Sequence, residues 1–248
     1  MAQQLIDLRR FGEGAELARA AAEEFARRAA DAVRARSSFS VALAGGSTPR
    51  RLYRLLADPA QPFRDRIDWS ATHFFWGDER HVLPDHPDSN YRMAREALLD
   101  VVPIPVGNIH RMRGEEADAE HAATAHEAEL RAFFPGQPRF DLVLLGLGAD
   151  AHTASLFPGS AAVRERERWV VAPWVEKLAS WRITLTPAVF DRAGAVLFLV
   201  QGEEKADALR AVLEGELDPD RYPAQAVRPE SGDLLWLVDD AAASRLRR

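Results

Sequence analysis

FDLVLLGLGADAHTASLFP, residues 140–158, sets an unbroken apolar run against a crowd of polar groups. A half-buried strand alternates apolar and polar residues. A run that is apolar at every position, as in LVLL, suits a strand covered on both faces. Such strands belong to parallel sheets with helices on either side. Glycines then let the chain turn, and Asp150, His152, Thr153 and Ser155 follow within a few residues. A connecting loop has no structural need of an acid, a histidine and two hydroxyls together.

The alternation of strand and helix extends in both directions. The Ala-rich segment 13–36 carries Leu17, Ala21, Phe25 and Ala32 at near-helical spacing and predicts an amphipathic helix. SFSVALAGG predicts a short buried strand over residues 39–43, stopped by two glycines. RRLYRLLAD resumes helical spacing, with Pro49 expected at the first helical position, where its missing N–H has no partner to lose. THFFWGDER reads as a strand ending at Gly77, and SNYRMAREALLD as a helix capped by Ser89 or Asn90. EEADAEHAATAHEAELRAFF predicts a long helix, and RWVVAPWV and SWRITLTP read as strands. AVLFLVQG is another buried strand, EEKADALRAVLEG another helix, and LLWLVD with a short helix closes the chain. The order predicts an α/β fold with a mostly parallel sheet and helices on both faces. No repeat or linker divides residues 1–248, so a single domain is expected, with room for a small lobe inserted between residues 78 and 140.

Bulk composition narrows the function. A chain of 248 residues is long enough for a sizeable core. It has no cysteine, which excludes disulfides, thiolate metal sites and cysteine nucleophiles. A net charge of −6 offers no broad nucleic-acid surface. The start, MAQQLIDLRRF, has no apolar core of the length a signal peptide needs, and no stretch approaches a membrane span. A soluble, cytoplasmic protein is expected, with no membrane or nucleic-acid partner. His121 and His126 lie five apart on one helix and do not share a face; His81 and His86 fall in a Pro-rich loop. Without H-E-x-x-H or cysteine, no metal site is expected.

In an open parallel sheet, ligands bind beyond the carboxyl ends of the strands. Four predicted strand ends carry notable groups: Gly45-Gly46-Ser47-Thr48, Gly77-Asp78-Glu79-Arg80, Gly148 to His152, and Gly202 with Lys205 a turn later. AGGSTP reads either as an ordinary strand–turn–helix corner or as an anion cradle at a helix N-terminus. It is neither a P-loop nor a dinucleotide fingerprint. Arg80, Arg182 and Lys205 are each either a solvated charge or part of a phosphate grip. Lys205 is the second and last lysine of a chain that otherwise uses arginine, the first being Lys177. His152 reads either as a base oriented by Asp150 or as a helix-start histidine with Asp150 as cap. Ser155 is not on a nucleophile elbow. Trp76 and Trp236, at predicted strand ends, are candidates to touch a ligand.

Six stretches together carry a family resemblance. LAGGSTP, GDERHVLPDHPDSNYRMARE, FDLVLLGLGADAHTASLFPGS, RITLTP, FLVQGEEKADAL and PAQAVRP resemble, in order, the 6-phosphogluconolactonases. The resemblance implies a Rossmann-like fold shared with sugar-phosphate isomerases and deaminases. It implies a cytoplasmic hydrolase of the pentose phosphate route, which opens 6-phospho-glucono-1,5-lactone to 6-phosphogluconate and needs no metal or redox cofactor. By the same resemblance, His152 is the general base with Asp150 beside it. Arg80 and Lys205 hold the substrate phosphate, helped by Arg182, and Gly45, Gly46 and Ser47 border the substrate. Backbone N–H groups near residues 45–47 are candidates to hold the oxyanion, and Thr153 and Ser155 are expected to open the next helix. The partner is a small phosphorylated sugar lactone, and the protein is a monomer or small homo-oligomer. One position departs: the family usually has Gly where this chain has Ala151, at a cost of about 1 kcal/mol if φ is positive there. Two rivals share the fold. A glucosamine-6-phosphate deaminase carries a Glu shortly after the His, whereas here no acid follows until Glu165. A non-catalytic sugar-phosphate sensor has no need of His152 and Asp150.

Overall fold

The computed structural model describes residues 6–247; residues 1–5 and 248 lie outside them. In chain order the elements are β1 (Ile6–Phe11), α1 (Gly14–Arg36), β2 (Phe39–Leu43), α2 (Ser47–Ala57), β3 (Thr72–Trp76), β4 (Asp78–Arg80), α3 (Asn90–Ala94), α4 (Ala119–Phe133) and β5 (Leu142–Leu145). Then follow β6 (Val170–Val171), β7 (Trp174–Val175), β8 (Ser180–Leu185), α5 (Pro187–Phe190), β9 (Ala195–Val200), α6 (Ala206–Glu214) and β10 (Asp233–Asp239).

Six strands form one sheet in the order β1-β10-β9-β5-β2-β3, and every pairing is parallel. The apolar run LVLL is β5, near the middle of the sheet. Its side chains alternate between two cores: Leu142 and Leu144 join the one under α1 and α2, while Val143 and Leu145 join the one under α4 and α6. All four are essentially inaccessible. Both faces of the strand are therefore dry, which is why no polar alternation survives in LVLL.

Strand order fixes the site. From β2 the chain moves to β3 on one side, whereas β5, β9 and β10 build outward on the other. The carboxyl ends of β2 and β5 thus flank the point where the order reverses, the crevice where open α/β sheets bind ligands. A second, antiparallel sheet, β4-β8-β6 with β7 paired to β8, sits beside this edge. The segment between residues 78 and 140 supplies β4, α3 and α4, and β4 ties it to β8 from much later in the chain.

Several local expectations are corrected. Pro49 is the third residue of α2, not the first, because Ser47 and Thr48 are already helical and Gly46, at φ 105°, precedes them. Pro49 still falls in the first turn, where its missing N–H costs nothing. Of the two caps expected for α3, Ser89 is the one observed, its hydroxyl accepting from the Arg92 N–H at 3.1 Å. The helix expected over residues 115–134 starts only at Ala119, capped by Asp118. The strand β1 was not expected at all.

Leu144→Ala is expected to destabilise the fold by about 2–5 kcal/mol, because it empties a packed site between sheet and helix. Leu83→Ala, at a position 61 % exposed, is expected to change stability by no more than about 0.5 kcal/mol. Urea unfolding of both variants checks the contrast.

Candidate active site

The loop after β5 is built around His152. Its backbone carbonyl accepts from the Gly148 N–H at 2.8 Å, closing a tight turn, and the Ala151 N–H donates to the Gly148 carbonyl at 2.9 Å. A Cβ on Gly148 would collide with the imidazole and with the Asp150 carboxylate, so only glycine lets the ring fold back over the turn. Ala151 is in the left-handed region, φ 64°, and Ala154 likewise at 46°. Ala151 therefore carries strain on the order of 1 kcal/mol. Its buried methyl group, 1 % exposed, recovers part of that by packing in the core.

His152 Nδ1 lies 2.5 Å from Asp150 Oδ1, and the His152 N–H donates to the same oxygen at 3.2 Å. With Asp150 accepting from Nδ1–H, Nε2 is the ring nitrogen left to take a proton. The ring stacks on Phe157, centroids 4.4 Å apart. Burial works to raise the Asp150 carboxyl, but the hydrogen bonds from His152 and Lys177 outweigh it and hold Asp150 well below the usual carboxylate range.

Thr153 and Ser155 do not open a helix. Residues 151–160 run as turns and bends, with an isolated bridge between Thr153 and Leu156. Both hydroxyls instead tie the loop down. Thr153 Oγ1 donates to the Gly146 carbonyl at 2.9 Å, and Ser155 Oγ donates to Asp78 Oδ2 at 2.6 Å. The helix-start reading of His152, with Asp150 as cap, falls with them.

Asp78 links this loop to the others. Its carboxylate also accepts from Asn90 Nδ2 at 3.2 Å, and Asn90 Nδ2 reaches the Asp78 carbonyl at 2.9 Å. The Asn90 carboxamide occupies the space that a Cβ on Gly45 would need. Next to it, Glu79 is buried and accepts from the backbone N–H groups of Arg80, Asn90 and Tyr91 at 2.7–2.8 Å. Burial pushes the Glu79 carboxyl up against the pull of those bonds. These groups fasten the base of Arg80, whose Nη1 donates to the Asp88 carbonyl at 3.0 Å.

Gly45, Gly46, Arg80, His152 and Lys205 border one cavity of about 200 Å³, together with Gly77, Asp78 and residues 144–148. Four strand ends far apart in sequence thus meet at the reversal point. Lys205 has as its nearest carboxylate Glu204, 3.9 Å away. Asp150 stands behind His152. Ser47 is exposed at the start of α2 and is not among the lining residues, nor is Arg182. Arg182 pairs in register with Arg80 across β4 and β8 and donates to Ser180 Oγ at 2.7 Å. Burial and then the Arg80 charge lower it from its ordinary value. Trp76 and Trp236 are core residues, not cleft walls: Trp76 packs on Tyr91, and Trp236 stacks on Phe198 at 3.8 Å. A larger cavity, about 770 Å³, opens beyond Asp150 between Phe157, Trp174 and Lys177. It lacks Arg80, His152 and Lys205, all of which line the smaller cavity.

Residues 12–236 match the family described as glucosamine-6-phosphate isomerases/6-phosphogluconolactonase. The chain belongs to that family. It is 46 % identical over 220 residues to the 6-phosphogluconolactonase of Synechocystis, covering 87 % of this chain and 88 % of that protein. The Haemophilus influenzae 6-phosphogluconolactonase is 37 % identical over 206 residues, covering 83 % and 87 %. Among solved structures, 6-phosphogluconolactonase from Trypanosoma brucei superposes with a TM-score of 0.86 at 31 % identity, covering 99 % of this chain and all (100 %) of that one. A monomeric glucosamine-6-phosphate deaminase superposes with a TM-score of 0.81 at 21 % identity, covering 96 % and 99 %, a likeness of fold.

The Asp150 carboxylate contributes stability above the ordinary aspartate range near 3.8, because the folded state holds its proton less tightly than the unfolded chain does. That contribution fades as pH falls through the range. Asp150→Asn is therefore expected to be less stable than the parent at pH 7, with the gap in melting temperature narrowing below about pH 4. A gap that stays constant down to pH 2 would contradict the ionised pairing.

Proposed function

We propose that the protein hydrolyses 6-phospho-D-glucono-1,5-lactone to 6-phospho-D-gluconate. The observation that carries this reading is the meeting of a histidine–aspartate pair with an arginine and a lysine around one small cavity. A phosphorylated ring needs cations at one end and a base at the other. Arg80 and Lys205 take the phosphate, with Arg182 supporting Arg80 from the adjacent strand. His152 Nε2 removes a proton from water as the water oxygen bonds to C1. Asp150 fixes the ring by accepting from Nδ1–H and offsets the imidazolium charge. The backbone N–H groups of Gly45 and Gly46, which line the cavity, are the donors assigned to the developing oxyanion. When the C1–O5 bond breaks, the proton on His152 passes to O5. The lactone is an activated ester, so no covalent nucleophile is required, and no oxidation state changes.

The reading also places the enzyme in the cytoplasm, as one α/β domain acting alone or as a small homo-oligomer, without nucleic-acid or membrane partners. A net charge of −6 offers no broad nucleic-acid surface, and among the described residues no helix is long and apolar enough to cross a membrane.

The test is a lactonase assay coupled to oxidation of 6-phosphogluconate, run with and without a chelator. Activity is expected to be insensitive to the chelator. His152→Ala is expected to lower kcat by about 10²–10⁴, the usual contribution of a positioned base, with KM little changed. Lys205→Ala is expected to raise KM chiefly. Full turnover by His152→Ala, or ammonia release from glucosamine 6-phosphate in place of lactone hydrolysis, would contradict the reading.

A further inference from the structure

His152 is supported on two sides, and both supports lead to one lysine. At its edge, Nδ1 meets Asp150; on its face, the ring stacks on Phe157. Lys177 Nζ pairs with the second oxygen of Asp150 and also lies 4.6 Å over the Phe157 ring. Lys177 is delivered from elsewhere in the chain, by the turn Glu176–Leu178 at the tip of the β7–β8 hairpin. The adjacent Glu176 is engaged by Trp174 Nε1 at 2.6 Å. Lys177 lines the larger cavity and not the one that holds Arg80 and Lys205.

We propose that Lys177 is a positioning residue for the His152–Asp150 pair, acting through the Asp150 carboxylate and the Phe157 ring without touching substrate. A carboxylate that faces only a histidine favours the imidazolium, and a base already protonated cannot take a proton from water. A cation on the far carboxylate oxygen discounts that attraction. It keeps Asp150 ionised and holds its second oxygen, so that the first stays on His152 Nδ1. The charged groups around the pair are Lys177, Glu176, Glu120 and Glu165 along the larger cavity on the hairpin side, and Asp78, Arg80 and Lys205 around the smaller one; Phe157, on the ring face, is neutral. The Lys177 side chain is 51 % exposed, so solvent screens its charge and the effect is modest. The same exposure means its replacement leaves the fold intact.

The inference rests on His152 being the base of the lactonase reaction, so its test includes a His152→Ala arm. The measurement is the pH profile of kcat/KM for Lys177→Met and Lys177→Arg on the phosphorylated lactone. Titration of the substrate phosphate is common to every profile and drops out of the comparison. For Lys177→Met the acid limb is expected to move to higher pH by about half a unit, with a several-fold lower kcat and a KM within about twofold of the parent. Lys177→Arg, which keeps the charge, is expected to return the limb towards the parent's position. An acid limb in Lys177→Met that coincides with the parent's overturns the positioning role, whatever happens to the plateau. Full activity in His152→Ala overturns the base assignment instead, and the two failures are distinguishable.

Discussion

The site depends on the pairing of β2 with β5. The two strands share only a short ladder, Val41 with Leu142 and Ala42 with Val143, yet everything at the cleft is referred to it. The ladder is pinned at its amino end by side chains. Asp141 Oδ2 accepts from the Ser40 N–H at 2.8 Å and the Ser40 hydroxyl at 2.9 Å, and the Asp141 N–H returns a bond to the Ser40 carbonyl at 3.1 Å. Arg36, at the end of α1, pairs with the same carboxylate. A slip of one residue would swap Leu142 and Leu144 with Val143 and Leu145 between the two cores, so register is strongly specified. Once it is set, parallel pairing obliges the loops after β2 and β5 to open at the same edge, with those after β3 and β9 beside them.

Electrostatics at that edge is layered. Arg80 and Lys205 line the cavity together with Asp78, while Glu79 and Asp150 lie outside its lining. Asp78 and Glu79 are buried below Arg80, and each is surrounded by hydrogen-bond donors rather than left as a bare charge. Buried carboxylates are tolerated when their lone pairs are filled in this way. Their work is mechanical: Asp78 joins the histidine loop to α3 through Ser155 and Asn90, and Glu79 anchors the first turn of α3. Asp150 differs, being shared between His152 and a partly exposed lysine.

Much of this was legible in the sequence wherever a local rule and the tertiary environment agreed. LVLL and AVLFLV read as buried strands because every residue is apolar, and the packing that makes them so is the packing observed. The strand-end glycines were informative because backbone needs glycine where a side chain folds back, as at Gly148. The misses have physical causes. IDLRRF is a largely exposed edge strand whose charges hide any strand period, and its place is set by β10. Thr153 and Ser155 resemble helix-start residues, yet their hydroxyls are taken by the Gly146 carbonyl and Asp78, partners that sequence spacing does not reveal. Trp236 lies within its strand and packs face to face with Phe198. Lys177 was conspicuous only for its rarity, because its contact with Asp150 spans 27 residues of chain and a hairpin turn.

The central claim is that one small cavity orients one phosphorylated ring between two cations and an imidazole. A crystal structure of the protein with 6-phosphogluconate bound tests it most directly. The phosphate should lie within hydrogen-bonding distance, about 3 Å, of Arg80 and Lys205, with the C1 carboxylate beside His152 Nε2. A sugar bound in the reverse orientation, or seated in the larger cavity beyond Asp150, would contradict the account.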